Sequence, residues 1–349
     1  MSEFAKYLVT TGRMVTGKSA GFHGAFDLVP DPGPGLTQGD LLTFLSLLEA
    51  GIPRETTKTG AKKDATQVTE RVKAIKKIED FVTDQQKQSV FANINKNVFA
   101  FQLALRARSP RRIDQGETTL CGPAALVYDV AKRDPAGYVN FALSLVSTGA
   151  GQFGATLVTP SAKVRQGYRV GLPPEADYVV LASVRETDAI VISSGLARRI
   201  LTLTKPGALY EFLRRAGYSD IRDHTFLTLS PPLKFVNAVT RFDLHGPAHY
   251  PMDKGLANLQ KAAGELQNQR FVIMLAGIEV SAAVTQHEAL TALAKPLPAG
   301  DAHWTAIRKL QINKDDVLIK LITSGGSFQH TLNKDALLSR YAGYMSATA

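Results

Sequence analysis

The order of helix and strand patterns along the chain constrains its fold more than any other feature of the sequence. From residue 66 to residue 107, apolar residues recur mainly three or four positions apart, the spacing of one helical face. From residue 270 onward, a continuous apolar run that suits a buried strand is followed by short strand patterns between tight turns. Helices first and an antiparallel sheet later define an α+β fold, which is the class we expect.

The end of the sequence predicts a hairpin and a final helix. Residues 303–311 alternate between apolar and polar, residues 313–316 suit a turn, and residues 317–323 are predicted as the returning strand. A second turn, Ser-Gly-Gly-Ser, follows at residues 324–327. A short helix is predicted to close the chain over residues 334–341.

Cys121 is the only cysteine in the chain, and it lies where a helix is predicted to begin. Gly122 and Pro123 follow it, and proline is favoured in the first turn of a helix, where its missing N–H costs nothing. The helix dipole there favours a negative charge, which lowers the pKa of a thiol and makes a thiolate nucleophile. Six residues earlier, Gln115 offers a side-chain amide. This amide and the Cys121 backbone N–H would form two donors for a developing oxyanion.

Gln115, followed at this spacing by Cys-Gly-Pro-Ala-Ala opening a helix, resembles the papain-like cysteine peptidase superfamily. The similarity is greatest to its bacterial branch of bacteriocin-processing peptidases, toxins and effectors, and it extends over about residues 106–349. It implies a papain-like fold, in which the nucleophile helix precedes an antiparallel sheet, with a histidine on a downstream strand. His303, followed by Trp304, matches that histidine, which takes the thiol proton and returns it to the leaving group.

The group that orients the histidine ring is where this chain departs from the family. Papain-like enzymes use an Asn or Asp beyond the histidine strand, whereas residues 321–325 (Leu-Ile-Thr-Ser-Gly) contain neither. A hydroxyl of Thr323 or Ser324, or a backbone carbonyl, is left for this role, and Asp316 is the first acidic residue to inspect. The resemblance therefore implies a Cys121–His303 dyad with a weak orienting group.

The resemblance implies a cysteine-dependent hydrolase, a protease that acts as a bacterial toxin or effector on a protein substrate. The same thiolate, imidazolium and oxyanion donors also serve a deamidase, a transglutaminase or a peptidoglycan amidase, and the fold does not choose among them. The net charge of +10 suits the amidase, because peptidoglycan is anionic.

Two alternatives belong to other classes of protein. Residues 12–19 match the phosphate-binding pattern G-x-x-x-x-G-K-S, with Gly17, Lys18 and Ser19 at its end. The glycines and the proline that follow disfavour the helix that would carry the phosphate, so we expect a glycine-rich loop. The other alternative is an inactive binding module on a papain-like fold.

The chain is predicted to form two domains, and residues 109–112 (Ser-Pro-Arg-Arg) mark the entry to the second. Residues 1–107 form a mainly helical appendage, and residues 108–349 form the papain-like catalytic domain. The appendage is a structural brace, a delivery element or an inhibitory pro-segment, and the sequence does not decide among these roles.

Composition limits the location and the partners that we expect. One cysteine excludes an intrachain disulfide framework, and the first residues lack the basic start and apolar run of a signal peptide. No stretch approaches the ~20 apolar residues of a membrane span, and no aromatic signature of RNA binding is present. We expect synthesis in a bacterial cytoplasm and export without a cleaved signal peptide into a target cell. The expected partners are a protein substrate there and a cognate immunity protein or secretion-machinery component, with no nucleic acid.

Metals and cofactors are not expected. His245 and His249 have the i, i+4 spacing of a zinc-binding helix, but Pro247 between them disfavours a helix. No glutamate lies within that motif to serve as a general base.

Overall fold

The computed structural model describes residues 32–33, 35–59, 65–116, 118, 120–169, 173–186, 206–225, 252–290, 302–323 and 325–349. The chain divides into two compact units, residues 1–118 with 127–187 and residues 119–126 with 188–349. In the first unit, helices that precede residue 107 pack with helices that follow residue 127.

The helices of the described residues are α1 (Gln38–Thr59), α2 (Ala65–Thr83), α3 (Lys96–Arg108), α4 (Cys121–Arg133), α5 (Pro135–Thr148), α6 (Ala162–Gln166), α7 (Glu175–Glu186), α8 (Pro206–Arg215), α9 (Met252–Gln267), α10 (Ile278–Gln286) and α11 (Lys334–Leu338). The strands are β1 (Gly151–Phe153), β2 (Thr156–Val158), β3 (Ser219–Asp223), β4 (Phe271–Gly277), β5 (Ala302–Ile312), β6 (Asp316–Thr323), β7 (Gly326–Asn333) and β8 (Tyr341–Thr348). In this part of the chain, no helix combines the length and the apolarity that crossing a membrane requires.

The first unit is a helical bundle with one small hairpin, β1–β2. In it, α2 packs against α1, α3 and α5, and α7 packs against α3 and α5. The predicted apolar face of α2 is buried at Ile75 and Ile78. Phe44 of α1 and Phe101 of α3 pack with their ring centroids 4.3 Å apart. Asn95 fixes the start of α3, because its side chain accepts from two N–H groups of the first turn.

The second unit contains a six-stranded antiparallel sheet in the order β3-β8-β4-β5-β6-β7. Helices followed by this sheet confirm the predicted α+β class, and the β5–β6 hairpin occurs where the turn at residues 313–316 predicts it. The final helix is shorter than predicted: α11 ends at Leu338, and Tyr341 already begins β8. β8 lies inside the sheet, between β3 and β4.

One face of this sheet is covered by helices. Met274 and Ala276 of β4 lie in one buried cluster with Leu259 of α9 and Val280 of α10. β4 pairs with β5 so that Ala276 lies opposite His303, and directly opposite residues share a face of the sheet. The sheet therefore directs His303 to the helix-covered side, near the start of β5.

Candidate active site

His303 and Thr323 meet at one end of the β5–β6 hairpin. Nε2 of His303 lies 3.3 Å from Oγ1 of Thr323, and the two residues are 8% and 7% exposed. Ala306 of β5 lies opposite Ile322 of β6, and continuing this register makes His303 and Thr323 diagonal neighbours on one face. The structure thus brings together two of the residues that the sequence singles out.

The surroundings of His303 favour its neutral imidazole. Burial lowers the pKa of His303 from its ordinary 6.5 to about 4, because a charged ring loses its solvation there. In the described part of the chain, no carboxylate offsets this fall. Asp316 lies at the opposite end of β6, where it accepts from the side chain of Asn313. Since Nε2 faces Thr323, Nδ1 is the ring nitrogen left to accept a proton at neutral pH.

Cys121 is the first residue of α4, as the sequence predicts. The N–H of Ala124 donates to the C=O of Leu120 at 2.8 Å, which closes the first turn of the helix. The Cys121 side chain is buried and lies at the positive end of the helix dipole. Residues 119–126 belong to the same compact unit as His303 and Thr323.

Gln115 belongs to the other compact unit, where it is 8% exposed. Its Oε1 is enclosed and has no hydrogen-bond partner among the described residues. Leaving a buried polar group without a partner costs roughly 1–3 kcal/mol, so such a group calls for a reason. Oε1 is a hydrogen-bond acceptor, so this observation does not bear on the donor role of the amide NH₂ group. Its role as an oxyanion donor beside Cys121 stays a prediction.

Two further histidines of the described residues contact each other. His287 and His330 pack edge to face, with ring centroids 5.3 Å apart. Within the described ranges, no set of three His, Cys, Asp or Glu side chains is placed to hold a metal ion. Outside the described residues lie Ser324, Gly17, Lys18, Ser19, His245 and His249.

Thr305 and Ser281 lie beside the pair but belong to no motif in the sequence. Oγ of Ser281, on α10, is 3.2 Å from Oγ1 of Thr305, and both residues are buried. Thr305 is two positions from His303 on one strand, so both side chains face the same side. That spacing is the one sequence signal that indicates Thr305, whereas Ser281 has none.

Comparison of the chain with models of protein families, with curated proteins and with solved structures gives no match.

We expect acid to destabilise the wild-type protein more than a His303→Gln variant. Because the pKa of His303 is lower in the folded state than its ordinary 6.5, the unfolded chain takes up the proton first. The free energy of unfolding therefore falls as the pH drops from about 6.5 towards 4, and is regained above that window. At low pH, the wild-type protein should lose roughly 2–3 kcal/mol more of its free energy of unfolding than the His303→Gln variant. Urea unfolding of both proteins at neutral pH and near pH 4.5 measures it, and equal acid losses would contradict it.

Proposed function

We propose that this chain is a cysteine-dependent hydrolase, a protease that acts as a bacterial toxin or effector on a protein substrate through a Cys121–His303 dyad. One observation carries the proposal: His303 contacts the Thr323 hydroxyl through Nε2, at the ends of neighbouring strands. Cys121, at the start of α4, belongs to the same compact unit. Nucleophile, base and orienting group, together with the α+β order, fit a papain-like catalytic domain.

The proposed reaction begins when the Cys121 sulfur attacks a substrate carbonyl carbon while Nδ1 of His303 takes the thiol proton. A carbon–sulfur bond forms, and the carbonyl oxygen becomes an oxyanion held by the Cys121 N–H and the Gln115 amide. The oxyanion then collapses, the carbon–nitrogen bond breaks, and His303 gives its proton to the leaving amine. Water hydrolyses the thioester with His303 as the base. This regenerates the thiol.

The burial of His303 shapes this chemistry. With a pKa of about 4 and no carboxylate to stabilise the imidazolium, the resting state holds a neutral ring. Proton transfer then accompanies the attack of sulfur. The Thr323 hydroxyl orients the ring but, being neutral, does not stabilise the imidazolium as a carboxylate would. This is the weak orienting group that the sequence implies.

Replacing Thr323 by Val should lower the rate of Cys121 acylation by roughly 5–10-fold, because one neutral hydrogen bond contributes about 1 kcal/mol. This loss is smaller than the loss of either dyad member. Thr323→Ser is the matched control, since it keeps the hydroxyl, and it should retain most of the rate. The release of nitrophenolate from p-nitrophenyl acetate measures acylation. A Thr323→Val rate equal to that of wild type would exclude Thr323 as the orienting group.

The proposed function is tested by expressing the chain inside a bacterium, with Cys121→Ala beside it, and comparing the two proteomes. New protein termini that depend on Cys121 indicate a protease. Mass shifts of about one dalton at Gln or Asn indicate a deamidase, cross-linked side chains a transglutaminase, and cleaved wall peptides a peptidoglycan amidase. Identical proteomes and walls would contradict the proposal. A cognate immunity protein or a secretion-machinery component, both part of the proposal, would be recovered by co-purification.

The alternatives from other classes make different predictions. A nucleotide-binding protein that uses Gly17, Lys18 and Ser19 would bind ATP or GTP in a calorimeter, and the dyad proposal expects no such binding. An inactive binding module would react with iodoacetamide at neutral pH no faster than a small thiol. The dyad proposal expects Cys121 to react far faster, because His303 takes the thiol proton as the sulfur attacks.

A further inference from the structure

Two buried hydroxyl groups join α10 to β5, the strand that carries the proposed base. Ser281 of α10 and Thr305 of β5 have their side-chain oxygens 3.2 Å apart, and the two residues are 7% and 2% exposed. The side chains around them are apolar, since Met274, Val280 and Ile307 belong to one buried cluster. Separating the two hydroxyls would leave each of them buried without this partner, which costs more than the bond itself contributes. The pair therefore fixes where α10 lies on β5.

Thr305 also lies directly across the sheet from Thr323. Ile307 of β5 lies opposite Leu321 of β6, and continuing this register by two residues along each strand places Thr305 opposite Thr323. Directly opposite residues share a face and have Cβ atoms about 4.5–5.5 Å apart, so the two threonines are neighbours. The Thr323 hydroxyl in turn lies 3.3 Å from Nε2 of His303. One row of side chains thus leads from α10 to the imidazole ring.

The rotamer of Thr323 decides whether its hydroxyl reaches that ring. Its Cβ carries a hydroxyl and a methyl group, and rotation about χ1 to another staggered position would turn the hydroxyl away from Nε2. A β-branched side chain has few χ1 rotamers, and the packing of its neighbours selects among them. Thr305 is such a neighbour, and its own side chain is held because its hydroxyl meets that of Ser281.

We propose that Thr305, held by Ser281, is a positioning residue that keeps the Thr323 hydroxyl directed at the ring of His303. The inference rests on the proposed function, in which His303 is the base. All four side chains of this row belong to one compact unit. Because Thr305 acts through Thr323, its loss should reduce the rate by no more than the loss of Thr323 itself.

The ring proton of His303 reports this role independently of any reaction. With Nδ1 left to accept a proton, Nε2 carries the hydrogen and donates it to Thr323. In protein labelled with ¹⁵N-histidine, the NMR signal of this Nε2–H is identified by its absence from His303→Gln. Its exchange with water should be roughly 5–10-fold faster in Thr305→Val than in wild type, because one neutral hydrogen bond no longer protects it. Thr305→Ser keeps the hydroxyl and should restore the wild-type exchange rate.

The rate of Cys121 acylation by p-nitrophenyl acetate should follow the same order. Thr305→Val should lower it by up to roughly 5–10-fold, and Thr305→Ser should retain most of it. Thr305→Val combined with Thr323→Val should acylate no more slowly than Thr323→Val alone, because both changes remove one contact. Thr285→Val is the matched control. Its hydroxyl, on the same helix, donates to the C=O of Ala282 at 2.9 Å, so both measurements should stay at wild-type values.

Three outcomes separate this inference from the proposed function. If Thr305→Val does not fold, as judged by circular dichroism, Ser281→Ala combined with Thr305→Val removes both hydroxyls at little cost in stability and should show the same two changes. Wild-type exchange or wild-type acylation in the folded variant, or additive losses with Thr323→Val, would overturn the inference alone. A wild-type protein that is acylated no faster than a small thiol would overturn the proposed function, whatever the exchange of the ring proton.

Discussion

Cys121→Ala and His303→Ala should each abolish acylation, proteolysis and toxicity while leaving the protein folded. The alanine at 121 removes the nucleophile, and the alanine at 303 removes the group that takes its proton. Because the two act as a unit, the double variant should be no worse than either single variant. Nitrophenolate release and growth of the expressing bacterium measure the two activities, and circular dichroism measures the fold.

His330→Ala is the matched control for the dyad variants. His330 lies on β7 of the same sheet and packs against His287, so its loss should leave the activity intact. Full toxicity in folded Cys121→Ala or His303→Ala would exclude Cys121 and His303 as the catalytic dyad. If His330→Ala lost as much activity as the dyad variants, the loss would be due to damage to the sheet and not to the missing catalytic groups.

Gln115→Ala should slow acylation of Cys121 by roughly 10²–10³-fold, the effect of losing one oxyanion donor. The thiol and its base stay in place, so alkylation by iodoacetamide should be unaffected. The alanine also removes a buried amide whose Oε1 has no partner among the described residues, so the folded state should lose little stability. Comparison of both rates with those of wild type measures the effect. An unchanged acylation rate would make Gln115 a structural residue.

Parts of this fold with strong local signals are predictable from the sequence. The start of α4 follows from Pro123 in its first turn, and the β5–β6 hairpin follows from a polar turn between two alternating segments. β8 has no such signal, because alanine, glycine and serine make up half of it and none of them favours a strand. It is a strand because β3 and β4 pair with it on both sides. Those partners are distant in sequence.

The candidate site is only partly predictable from the sequence, because the sequence does not identify the orienting group. Sequence reasoning leaves Thr323, Ser324 and a carbonyl as alternatives, because neighbouring residues of a strand face opposite sides and the register decides between them. That register includes an irregularity between Ile307 and Lys309, which no local pattern indicates. Outside the candidate site, the buried Arg106–Asp177 ion pair is likewise not predictable, since its members meet only when α3 packs against α7.

Because β8 lies inside the sheet, the sheet can be completed only late in synthesis. β3 has β8 as its neighbour, yet β8 begins at Tyr341, long after β3 has left the ribosome at Asp223. At ordinary rates of translation, the delay is on the order of ten seconds. From the synthesis of Gly277, the end of β4, until β8 is made, the side of β4 that later pairs with β8 is an open edge to which other chains can add. A cell that makes this protein therefore handles, in every round of translation, a nascent chain that already carries Cys121 and His303 while the sheet that holds His303 is unfinished.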